Sequence, residues 1–130
     1  MNKKNKSKGV FFCISMPLFP YDIYFSIDEE DDVLFSRLKK KFSMTDFDPL
    51  MMGPTTQGRT LITNHGTTII RLKKHKNKYV NLEFIAHESF HAILFIMESA
   101  GLKMQIDVSD EAYAYSIGFL VAEAARKMGL

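Results

Sequence analysis

A chain of 130 residues that is 46% hydrophobic and 25% charged holds enough apolar material for one soluble domain with a core, and little for a second. One cysteine excludes an internal disulfide framework, and a net charge of +2 is too small to argue for a nucleic-acid partner by itself. Cys13 reads as a small buried hydrophobe in a protein of a reducing compartment, so a cytoplasmic location is expected rather than secretion.

Residues 2–8 are basic (Asn2-Lys3-Lys4-Asn5-Lys6-Ser7-Lys8), and the stretch from Val10 to Phe19 is largely apolar, as in a signal peptide. No small-residue cleavage site follows, however, and Asp22 interrupts the apolar run. No segment reaches the roughly 18 uncharged residues of a membrane span. The expectation is a disordered basic tail over 1–9, a single domain over 10–130, and no membrane association. Residues 10–16 and 21–27 are rich in Phe, Ile, Val and Tyr and predict strands, with Pro17 and Pro20 between them.

Ser26-Ile27-Asp28-Glu29 has the form of a capping box and predicts a helix running to about Phe42. Its acidic first turn (Glu29 to Asp32) and basic last turn (Lys39 to Lys41) complement the helix dipole. The acidic run lacks the spacing and glycine of a calcium loop. Residues 43–58, with Pro49, Gly53, Pro54 and Gly58, predict a loop. Arg59–Asn64 and Thr67–Lys73 predict a hairpin around His65-Gly66. The basic run Arg71, Lys73, Lys74, His75, Lys76 and Lys78 reads as a solvated turn, with a phosphate-binding patch or a surface for an acidic partner as its functional alternatives. A long helix is predicted from about Leu82, capped by Asn81, to Ala100, with Gly101 past its end. Ala92 to Met97 is apolar on every side and predicts burial. After a connector over 102–108, Ser109 caps a last helix from Asp110 to about Met128.

The long helix carries His87-Glu88-Ser89-Phe90-His91, an HExxH motif. Residues four apart share a helix face, so both imidazoles can point at one ion, with Glu88 beside them. Zinc takes nitrogen ligands tetrahedrally, and a catalytic site needs a third ligand and an open position for water. Two core histidines and a surface glutamate would give the same pattern, but burying them without an ion is costly. Four carboxylates compete for the third place. Glu98 lies about three turns from His87, too far to share the ion. Asp107 suits a partner to a histidine N–H. Asp110 and Glu111 both open the last helix. Glu111 has the longer reach, and its face continues through Tyr115, Gly118 and Ala122, small enough in part to pack closely on the motif helix.

This arrangement resembles the zincin superfamily of zinc metallopeptidases, on His87, Glu88, His91 and Glu111. In the glutamate-zincin branch the third ligand is a glutamate on the next helix. The extended metzincin pattern does not fit, because Leu94 and Met97 stand where its glycine and third histidine belong. Peptide deformylases share HExxH but take a cysteine ligand from a motif that Cys13 lacks. The order of elements is similar to the small zincin-like proteins of phage and mobile-element genomes, whose location would be a bacterial host's cytoplasm.

The resemblance implies an α+β minimal zincin-like domain: a small antiparallel or mixed sheet, an active-site helix and a C-terminal ligand helix. It implies a zinc-dependent metallopeptidase acting on a protein or peptide. His87, His91 and Glu111 would hold Zn2+ and Glu88 would act as general base. Tyr115 is the expected oxyanion donor, with Tyr113 and His75 behind it. An extended substrate is expected to pair with the sheet edge at Thr67–Leu72. Two other classes remain: an inactive zincin-like binding or regulatory protein, and a nucleic-acid-associated protein using the lysine tail and Arg71–Lys78.

Overall fold

The computed structural model describes residues 9–63 and 66–130. The expected basic tail, Gly9 aside, lies outside the described residues, as do Asn64 and His65 of the expected hairpin turn. The elements in chain order are β1 (Val10–Ser15), β2 (Asp22–Ile27), α1 (Asp31–Phe42), β3 (Gly58–Ile62), β4 (Thr68–Leu72), α2 (Lys78–Ser99) and α3 (Asp110–Lys127). A 3-10 turn at Asp48–Leu50 precedes β3. The fold is α+β, with a four-stranded mixed sheet of order β1-β2-β4-β3.

β1 and β2 run antiparallel, as do β3 and β4, whereas β2 and β4 are parallel. A parallel pair needs a long crossover. Here α1 and the segment through β3 provide it. β4 is therefore an inner strand with all five residues buried, and β3 is an edge. The edge expected at Thr67–Leu72 is thus corrected: those residues bond β2 on one side and β3 on the other.

Period-two alternation divides the sheet's side chains between two cores. Ile14, Ile23, Phe25, Ile27, Ile70 and Leu72 face α2 and α3, meeting Ile85, Ala92, Ile93, Ile96, Leu120 and Ala124. Ile69 faces the other way, onto Leu34 and Leu38 of α1 and onto Leu50. Fully burying each such side chain contributes about 1.5–3 kcal/mol. Cys13 lies on neither core; it is exposed on the edge strand β1, not buried as composition suggested. Among the described residues no helix is long and apolar enough to cross a membrane.

Helix ends differ from the sequence reading in instructive ways. Ser26 belongs to β2, and its Oγ donates to Glu29 Oε1 at 2.8 Å across a turn in which Asp28 has φ 57°. The capping-box residues therefore close a turn, and α1 begins at Asp31, with its charges placed for the dipole as predicted. α2 starts a turn early, because Asn77 and not Asn81 caps it: the Asn77 side chain accepts the Tyr79 N–H at 2.8 Å. Asn81 is buried inside the helix and exchanges two hydrogen bonds with the backbone of His75. The other end is as predicted. Gly101 takes φ 79°, and the N–H groups of Gly101 and Leu102 donate to the carbonyls of Glu98 and Met97. Burial of the second half is one-sided, since Phe95 is 45% exposed. Ser109 precedes α3, but its Oγ bonds backward to Lys103 O and the Gln105 N–H, and not to the helix.

The basic run is solvated in part, since Lys74, Lys76 and Lys78 are exposed, but its first members are also tied into the fold. Arg71 is buried and donates to Leu50 O and Glu29 O at 2.9 Å each and to Asp31 Oδ1 at 2.6 Å. Lys73 Nζ donates to Gly53 O and Lys74 Nζ to Met128 O. Arg71→Met should therefore destabilise the protein by about 2–4 kcal/mol, since two buried carbonyls lose their donor. Lys76→Met, at an exposed position, should stay within about 0.5 kcal/mol of the parent. Urea denaturation of both checks this, and matching curves would contradict the network.

Candidate metal and catalytic site

α2 buries Asn81, Ile85, Glu88, Ser89, Ala92, Ile93, Ile96 and Met97, the stripe expected of a helix lying on a sheet. His87 and His91 stand just outside that stripe, the first exposed and the second half-buried. Their rings meet edge-on with centroids 4.9 Å apart, and Nε2 of one lies 3.3 Å from Nε2 of the other. Two nitrogens bound tetrahedrally at about 2.0–2.1 Å from one zinc would be separated by about 3.4 Å. The pair thus has the spacing of two ligands to one ion. Without an ion, one imidazole must donate its proton to the other.

Glu88 sits at the border of the stripe and is only 7% exposed. Its Oε2 accepts a hydrogen bond from Thr60 Oγ1 at 2.5 Å, so the carboxylate is turned onto β3. Gly58, two residues earlier on the same face of β3, lies directly beneath it. Sequence reasoning missed both residues. The sequence reads Gly58 as the end of the 43–58 loop, whereas it opens β3; the one available signal is a glycine bordering a β-prone run, which often marks a close approach.

The last helix is rotated relative to expectation. Its buried face is Tyr113, Ser116, Leu120 and Ala124, whereas Glu111, Tyr115, Gly118 and Ala122 are all exposed. The expected packing of the small-residue face on α2 is therefore corrected. Tyr113 and Leu120 offer more apolar surface, and a buried Tyr needs a polar partner for its hydroxyl. Tyr113 finds one in Leu102 O at 2.5 Å. That contact also withdraws Tyr113 from any role as an oxyanion donor. Tyr115 is 56% exposed and remains accessible. His75 packs against Phe84, its ring centroid 5.7 Å away, and its buried Nε2 has no hydrogen-bond partner among the described residues.

The structure therefore brings His87 and His91 together, with the Glu88 carboxylate turned from them onto β3. Glu111 stands exposed in the first turn of α3 beside Asp110, and among the described residues no group of three His, Cys, Asp or Glu side chains is gathered for a metal ion. Comparison with family models, with curated proteins and with solved structures finds no match to this chain.

Burial, and then the charge of Glu98, raise the Tyr113 hydroxyl above its ordinary value of 10.0. A pKa raised on folding contributes stability that is complete below the unfolded value and lost as pH rises through the folded one. Tyr113→Phe should cost about 1 kcal/mol near neutrality through the lost hydrogen bond. The gap to the parent should narrow once pH passes the tyrosine range. Denaturant titrations at the two pH values check this, and a gap that widens with pH would contradict it.

Proposed function

We propose that the protein is a zinc-dependent metallopeptidase of zincin type. The observation that carries this reading is the 3.3 Å separation of the His87 and His91 Nε2 atoms on adjacent turns of α2, next in the chain to Glu88, whose carboxylate turns onto β3. The two histidines fit a tetrahedral zinc by spacing and by donor chemistry. Glu111, exposed at the head of α3, is the proposed third ligand, with Asp110 as its competitor.

Zinc held there would supply Lewis acidity and a water acidified toward neutrality. Glu88 takes the proton of the attacking water on its carboxylate and hands it to the leaving amine nitrogen. The Tyr115 hydroxyl donates to the oxyanion as charge develops. The free edge of β3 is where an extended peptide would add, because β3 has a partner on one side alone and carries the residues that touch Glu88. Main-chain pairing gives affinity without much side-chain choice, so a narrow range of protein targets follows, chosen by surface outside the cleft. Lys76 and Lys78 are the exposed remainder of the basic run for an acidic partner.

One observation favours a second reading, a zincin-like binding or regulatory protein that cleaves nothing: among the described residues no third metal-capable side chain joins the histidines. The two separate experimentally. Protein purified without chelator or affinity metal should contain about one zinc per chain and melt higher with zinc added. His91→Ala should lose the metal, and Glu111→Ala should weaken binding more than Asp110→Ala. Glu88→Gln should keep zinc and lose about 10²–10⁴-fold in cleavage of a proteome-derived peptide library. Zinc bound with no cleavage by the parent would favour the second reading. No zinc and no change in melting would remove both.

A further inference from the structure

We propose that Gly58 and Thr60 of β3 are positioning residues that hold the Glu88 carboxylate in a single orientation; the proposal rests on the metallopeptidase reading above. Three observations meet here. The first is burial. At 7% exposure Glu88 has given up most of its water, and a buried carboxylate is costly unless a donor replaces that water. Thr60 Oγ1, at 2.5 Å from Oε2, is that donor. Among the described residues no hydrogen bond reaches Oε1, so one oxygen is tied to Thr60 and the other lies over Gly58.

The second is space. A Cβ at position 58 would lie 2.9 Å from Glu88 Cγ, 3.1 Å from Glu88 Oε1 and 2.9 Å from Leu72 Cδ2. Glu88 would have to move, or a core leucine would. Backbone geometry does not account for the glycine, because Gly58 is not among the positive-φ glycines. Room for the Glu88 side chain does. The third is register. Thr60 and Gly58 are two apart on one strand, so they face α2 together, paired across β4 with Ile70 and Leu72 of the same core. One residue fastens the carboxylate and the other makes the groove in which it lies.

A tie that merely staples α2 to the sheet would predict lost stability and nothing more. A positioning role predicts a loss of turnover that depends on the hydroxyl. In the metal-free protein the Thr60 hydroxyl proton should exchange slowly enough to give a resolved NMR signal, absent in Glu88→Ala and in Thr60→Val. In the zinc-loaded protein, with the peptide identified in the library, Thr60→Val should lower kcat about 10–100-fold with KM little changed, the scale seen when partners of metal-site groups are removed. Thr60→Ser should restore most of it. Gly58→Ala should lose kcat likewise, and the double variant should lose less than the product of the two single losses, since both act on one carboxylate.

Several results would overturn the proposal: no slow hydroxyl signal, an unchanged kcat in Thr60→Val, a loss confined to KM, or a Thr60→Ser variant as impaired as Thr60→Val. A parent protein that never cleaves would end the metallopeptidase reading and the positioning role together. That outcome is distinct from an active parent indifferent to Thr60.

Discussion

The parallel pairing of β2 with β4 is the constraint from which the rest of the molecule follows. Parallel neighbours cannot be joined by a tight turn, so the chain must leave the sheet and return. On that excursion it forms α1 against one face, then lays β3 beside the place where β4 will go. β4 is enclosed by two strands and two cores, and β3 is pushed to the rim. α2 follows β4 and crosses the α2/α3 face of the sheet, close enough to β3 for Thr60 to reach Glu88. The open rim of the sheet and the nearness of α2 to it are thus products of a single topological choice.

Much of this was legible because it is local. The strands come from runs of Phe, Ile, Val and Tyr, and the hairpin from two β-prone segments around a turn. α1 comes from a helix whose terminal charges oppose its dipole. Gly101 ends α2 for the reason the sequence suggests, since a residue with φ 79° needs no side chain. The misreadings have a common cause. Ser26 and Asn81 are chemically good caps, yet each is used by tertiary structure: Ser26 reaches Glu29 across a turn, and Asn81 clasps the backbone of His75. A capping residue advertises a hydrogen bond and not the partner that will take it. Arg71 is the same lesson in charge. A run of lysines and arginine suggests a wet surface, but β4 alternates its faces, and residue 71 falls on the α1 side, where the carbonyls of Leu50 and Glu29 need a donor.

The candidate site divides along the same line. The histidine pair was readable because helical spacing alone sets it. The environment of Glu88 was not, since Thr60 is 28 residues away and belongs to a different element. The rotation of α3 was unreadable for a related reason. Two faces of that helix each carry a plausible sequence of small and apolar residues, and burial of Tyr113 with its hydroxyl on Leu102 O favours one of them. The stripe from Glu111 to Ala122 is consequently outward, and the first turn of α3 lies beside the C-terminal end of α2, where Tyr113 reaches Leu102 O, while the last turn of α3 meets Lys74 ahead of α2.

What unites the histidines and Glu88 is the division of labour that a helix on a sheet allows. Adjacent residues are about 100° apart around the axis, so His87 and Glu88 cannot face the same way. With the histidines beyond the buried stripe, Glu88 must stand at its border, where the side chain meets strand rather than solvent. A long apolar residue there would simply pack. A carboxylate there demands a hydroxyl on the strand and an empty place beneath it, and β3 supplies Thr60 and Gly58 at the alternate positions that share a face. The sequence at the rim of the sheet is therefore accounted for by the charge on α2. Two short segments that look unrelated along the chain are halves of one physical requirement: an acid withdrawn from water must find its hydrogen bond and its room in the same strand.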